Sequence, residues 1–167
     1  MVILSIVSAI SIKFLVDSLK IYTMTVNQKT LFDEGKLALE RMCRDIRDAN
    51  AVSGTTASSI TFTRAHTTAT DNAGNSITFW QNTVPNPDTL EKANNSTGAS
   101  GILANNATSF TVTNANEIQL QLTLNPTSGE TVTLQTTAYP KNLTKDTTNT
   151  YKNFYGNWKE IKSPDTY

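Results

Sequence analysis

The chain has 167 residues, 38% of them hydrophobic and 17% charged, enough for one ordinary domain or one domain with an extended element attached. Its acidic and basic side chains cancel to a formal net charge of +0, with a pI near 6.6, so bulk electrostatics draws neither nucleic acid nor an anionic lipid surface. The single cysteine, Cys43, excludes an intrachain disulfide, and the abundance of Thr and Asn suits a polar, β-rich surface better than a large enzyme core.

The opening stretch sets the organisation. From Met1 to Val16 nearly every side chain is apolar or Ser, broken only by Lys13. Ile3, Leu4, Ile6, Val7, Ile10, Ile12, Phe14 and Leu15 form the candidate membrane or filament-core segment. The uncharged run falls roughly eight residues short of the ~20 that a bilayer core requires. A secretory signal fits poorly, because the positive charge comes late and the helical pattern continues past it. Lys13 and Asp17, four residues apart, are a candidate ion pair within the helix or across subunits, since an unpaired charge in apolar surroundings is costly.

Farther along, Leu31, Gly35, Leu39, Met42, Ile46 and Ala49 recur at helical spacing and predict one buried face. Leu39, Met42 and Ile46 are its expected contacts to a sheet. On the flanks Glu40 and Arg44, Arg41 and Asp45, and Arg44 and Asp48 read as opposite-sign pairs on a solvated face, each contributing about 0.2–0.5 kcal/mol. No proline precedes Pro85, and a Ser/Thr cluster at Ser53 and Gly54 predicts a helix stop near Val52. Such a helix is about 75 Å long, whereas a head of the remaining size has a radius of gyration of about 13–14 Å. Its first half therefore needs lipid or other subunits for cover. The division expected is 1–26 for that half and 27–167 for a globular head.

In the head, residues 59–63, 77–80, 109–113, 117–124 and 131–138 read as strands. The fourth is clearest, with Ile118, Leu120, Leu122 and Leu124 alternating with Gln119, Gln121 and Thr123. Pro126 and Gly129 mark a turn, which predicts a hairpin with Val132 and Leu134 on the same buried face. Residues 64–76 and 81–101 lack periodicity and read as surface loops. The tail carries Tyr151, Phe154, Tyr155 and Trp158, read as packing onto the head or as a contact for another subunit. The fold class is α+β, a long N-terminal helix packed on an antiparallel sheet.

At this point the chain resembles the type IV pilin and type II secretion pseudopilin class. The segment MVILSIVSAISIKFLVDSLKIY looks like the interior of that class's N-terminal helix. The segments LALERMCRDIRDANAV and SSITFT resemble minor subunits, of the minor pilin W or pseudopilin J kind, and ILANNATSFTVT, EIQLQLTL and TLQTTAYPKNL follow in similar order. The resemblance implies a pilin-like fold, an inner-membrane anchor with a periplasmic or extracellular head, and sibling pilin subunits as partners in a pilus or pseudopilus. It also implies a basic leader ending in Gly and a glutamate early in the mature chain. Neither is present, so the sequence is expected to start inside the apolar run, which leaves leader cleavage and N-methylation without residues to assign.

Catalytic constellations are missing from the pattern. His66 is the single histidine and stands in a polar loop, and one His with one Cys cannot make a zinc site within the chain. Cys43 reads as a small packing residue. Residues 71–75, DNAGN, lack the acidic spacing of an EF-hand and read as a turn. Glu117 and Glu130 flank strands rather than a cleft. The expectation is a structural, non-enzymatic subunit with no cofactor, no metal, no nucleic acid and no small-molecule substrate. The rival is a membrane-anchored, adhesin-like binding module that uses its Thr/Asn-rich loops.

Overall fold

The computed structural model describes residues 2–84, 88–114, 117–126 and 130–142, without the side chains of residues 2–6 and 9. The chain runs as one helix, α1 (Val2–Arg47), followed by eight strands. These are β1 (Ala49–Thr56), β2 (Ser59–Arg64), β3 (Ser76–Asn82), β4 (Thr89–Asn94), β5 (Ala99–Asn105), β6 (Ala107–Asn114), β7 (Ile118–Leu124) and β8 (Val132–Ala138). The tail aromatics Tyr151, Phe154, Tyr155 and Trp158 lie outside the described residues.

At 46 residues, α1 is about 69 Å long. Its apolar side chains change pattern halfway. From Leu31 onward they fall on one stripe, and Leu31, Gly35, Leu39, Met42, Ile46 and the following Ala49 are all buried, as the spacing predicts. Before Leu31 they spread around most of the helix, leaving one side to Lys13, Asp17 and Lys20, with Phe14, Leu15 and Val16 adjacent in sequence and all exposed. The helix ends at Arg47, not near Val52. The Asp48 N–H turns back to the Asp45 carbonyl at 3.2 Å, and the chain enters β1, which pairs with β2. Only Ala49 of β1 is buried, so its sequence shows no alternation.

The expected single sheet is two. β1 to β5 form a five-stranded antiparallel meander, and β6, β7 and β8 form a second antiparallel sheet. Asn106 alone separates β5 from β6, and its φ of 57° supplies the sharp change of direction. Asn tolerates this left-handed conformation better than most residues. Residues 81–101 are not one loop, because they contain β4 and the start of β5. Those strands were hidden because each buries little hydrophobic bulk, Leu90 in one and Ala104 in the other.

One continuous core joins the three layers. Ile60, Phe62, Ile77, Phe79 and Leu90 enter it from the first sheet, and Phe110, Ile118, Leu120, Leu122 and Leu124 from the second. Burial in β2 and β7 alternates as a period-two pattern demands. α1 lies mainly across β8 and β7, as the predicted hairpin requires, and also touches β5 and β2. Gln81 fastens the sheets together: its amide donates to the Ala107 carbonyl at 2.8 Å and its carbonyl accepts the Phe110 N–H at 3.3 Å.

Candidate functional site

Three features stand out, an uncovered apolar rod, an ionic cluster at the neck and a groove beside β8. The rod is the first half of α1. Ile10 is 65% exposed, Phe14 74% and Tyr22 67%, with Val7, Ile12, Leu15, Val16, Leu19, Ile21, Met24 and Val26 also open. Lys13, Asp17 and Lys20 line one side of this segment, and the rest of its circumference is apolar surface that needs cover. Its hydroxyls already accommodate such surroundings: Ser11 donates to the Val7 carbonyl at 2.9 Å, Ser18 to Phe14 at 2.8 Å and Thr25 to Ile21 at 2.9 Å. This bonding one turn back leaves few polar groups needing water.

Of the residues assigned to the rod, Val7, Ile10, Ile12, Phe14 and Leu15 are exposed, while the side chains of Ile3, Leu4 and Ile6 lie outside the described ones. Lys13 and Asp17 are both exposed, and no ion pair joins them within the chain among the described residues. Among the described residues no helix is long and apolar enough to cross a membrane.

At the neck, α1 meets the first sheet through charges. Arg64, only 3% exposed, lies 2.7 Å from Asp45, 3.3 Å from Asp48 and 3.9 Å from Asp71. Lys92 sits 2.9 Å from Asp45 and 2.6 Å from Asp71, and Asn94 donates to Asp71 at 2.9 Å. Burial pushes the Asp71 carboxyl up, but hydrogen bonds from Lys92 and Asn94, with the charge of Lys92, outweigh it and hold the group below its usual value. The expected pairs on the helix flank are therefore replaced. None of the three forms among the described residues, because Asp45 and Asp48 turn to Arg64, Lys92 and His66 across the fold, and Lys36 with Glu40 at 3.8 Å is the pair on this stretch of helix.

Sequence reasoning missed this cluster, although a signal existed. Arg64 continues the Ile60 and Phe62 alternation, which places it on the buried face. Likewise the loop holding residues 71–75 does more than turn, since its Asp71 is 5% exposed and bound by two partners from β4.

His66 is exposed as its loop position suggests, with Nδ1 2.6 Å from an Asp48 carboxylate oxygen. Cys43 is buried, its Sγ 3.6 Å from the Thr136 hydroxyl. Glu117 accepts hydrogen bonds from Tyr139 and Gln119, and these bonds hold its carboxyl below the usual range while raising the Tyr139 phenol. No group of His, Cys, Asp and Glu among the described residues is arranged to hold a metal.

The groove, about 770 Å³, runs between the helix stripe Phe32, Lys36, Leu39, Cys43 and Arg47 and the β8 residues Leu134, Gln135 and Thr136, and ends at Lys141 and Asn142. No family model, curated protein or solved structure matches the chain.

Proposed function

We propose that the chain is a structural subunit of a helical filament, of the minor pilin or pseudopilin kind, whose rod packs against the rods of sibling subunits. One observation carries the reading: a single helix is clasped by its head from Leu31 onward, yet before it carries a large uncovered apolar surface, interrupted on one side by Lys13, Asp17 and Lys20. Burying such surface contributes about 25 cal/mol per Å², and among the described residues no part of the head covers it. Before assembly the same segment is held at the inner membrane, with the head on the periplasmic or extracellular side. The head's role is then display and contact rather than catalysis.

The test compares the full chain with a chain starting at residue 27, by sedimentation-equilibrium ultracentrifugation in mild detergent and by co-purification with sibling subunits. The full chain is expected to associate, and the shortened one to stay monomeric with an unchanged melting temperature. A shortened chain that binds a surface glycan tightly as a monomer, together with a full chain that never associates, would instead establish the binding-module reading.

A further inference from the structure

A second cleft, of about 450 Å³, opens between α1 and β5. Along β8 the helix and the strand run the same way: Gly35 approaches Leu134, Cys43 approaches Thr136 and the Arg47 carbonyl accepts the Lys141 N–H at 2.9 Å. Along β5 they run in opposite directions. The Glu34 carboxylate meets Asn105 at the end of the strand, and Arg41, Arg44 and Asp45 share the cleft with Ser100, Gly101 and Ile102 farther back.

The register accounts for the space. Lys92 stands opposite Gly101 and Asn94 opposite Ala99, so these four share one face of the sheet. From that face Lys92 reaches Asp45 at 2.9 Å, which puts α1 over it. Under the helix β5 therefore offers only a hydrogen atom and a methyl group where β4 offers long side chains. A β-carbon added at Gly101 would meet nothing within 4 Å.

The same register turns two backbone positions of β5 outward. Asn95 donates to the Ser76 carbonyl at 2.8 Å and so faces β3, as do Ala93 and Glu91 before it. Lys92 and Asn94 then face β5, and their partners Gly101 and Ala99 face back. Ser100 and Ile102 are left pointing N–H and C=O away from β4, in the last strand of this sheet among the described residues. Farther along, Asn105 shows what such a position accepts: the Glu34 carboxylate takes its backbone N–H at 2.8 Å and its side-chain amide at 3.1 Å.

Charge selects the ligand. Around the cleft Arg41, Arg44 and Lys92 outnumber Asp45 and Asp71. Both carboxylates are already bound by Lys92, and Asp45 also by Arg64 at 2.7 Å. Glu40, Asp45 and Asp48 are the carboxylates within helical reach of the two arginines. They turn instead to Lys36, to Lys92 and Arg64, and to Arg64 and His66. Arg41 and Arg44 thus have no ion pair among the described residues. Three residues apart on an exposed helix surface, they repel each other until an anion joins them.

We propose that this cleft binds an acidic, extended segment of a partner protein, which adds to β5 at Ser100 and Ile102 and sets a carboxylate over Gly101, beneath Arg41 and Arg44. Main-chain hydrogen bonds supply the affinity, and the paired guanidinium groups select the charge. Among the described residues the cleft has no aromatic ring for a sugar to stack on, while exposed Ile102 suits an apolar side chain on a neighbouring strand. This inference does not rest on the filament reading.

The probe is a blocked synthetic peptide, Thr-Glu-Val-Glu-Val-Glu-Thr, with its glutamine counterpart as control, added to the full chain in mild detergent. Binding is read by fluorescence anisotropy and by NMR shifts of the Ser100 and Ile102 amides. The acidic peptide is expected to move both amides and to bind at least about tenfold more tightly than the control, in line with the strength of charge-assisted hydrogen bonds. Arg41→Gln combined with Arg44→Gln is expected to erase that preference. Gly101→Leu, whose side chain enters the open space, should weaken binding at an unchanged melting temperature. Should that variant fold poorly, the exposed arginine pair still decides the matter. Unmoved amides at Ser100 and Ile102, equal affinity for the two peptides, or a preference that survives in the double arginine variant overturns the proposal. Sodium glucuronate that moves the same amides as far, at equal carboxylate concentration, overturns the choice of a peptide.

Discussion

Arg64 joins the carboxylates at the neck of the head. It is buried at the end of β2 with three carboxylates around it, so removing it leaves Asp45, Asp48 and Asp71 short of a cation. Arg64→Ala is expected to cost about 3–5 kcal/mol in urea denaturation, the usual cost of breaking a buried pair on one side. Acid tests the same cluster from the carboxylate side. The Asp71 carboxyl titrates below 3.8 in the folded state, so its contribution is full above the unfolded value and fades as pH falls through the lower folded one. Stability measured from pH 6 downward should therefore drop on the acid side, and Lys92→Met should remove much of that dependence. This cluster was the least legible part of the sequence. Asp45 and Asp48 show helical spacing to nearby arginines, and nothing local reveals that they prefer partners from β2 and β4. A carboxylate in the last turn of a helix faces the negative end of the dipole, which hints that its cation must come from elsewhere.

At the scale of elements, Gly35 sets how closely α1 lies on the second sheet. A β-carbon there would meet Leu134 Cδ1 at 2.8 Å and Leu124 Cδ1 at 3.1 Å. Both are ends of flexible side chains, and Ala is the better helix former by about 1 kcal/mol. Gly35→Ala is accordingly expected to be close to neutral in thermal unfolding, whereas Gly35→Phe should cost about 1–3 kcal/mol by forcing the helix off β8. The helix, its buried face and the β7–β8 hairpin were all readable, because each presents an apolar side chain at every period of its own repeat. β1, β4 and β5 were not, because they bury little and their Asn, Thr and Ser side chains mark loops as often as strands. The break into two sheets at Asn106 depends on one backbone angle, which no hydrophobic pattern records.

For the whole molecule, the rod and the head make separate demands on the sequence. Lys13 and Asp17 stand on the exposed half of α1, far from the core that begins at Leu31. Lys13→Ala or Asp17→Ala is expected to weaken subunit association while the melting temperature of the head stays within about 1 °C, since surface changes away from packed features usually stay within ±0.5 kcal/mol. Equal losses in both measurements would contradict the division of labour. The shared direction of α1 and β8 has a mechanical consequence. Tension drawn along the rod acts lengthwise on the seam between helix and sheet, so Gly35 against Leu134, Cys43 against Thr136 and Arg47 against Lys141 are sheared together instead of being unzipped in turn. A head joined this way keeps its grip when the strand of force runs through its spine.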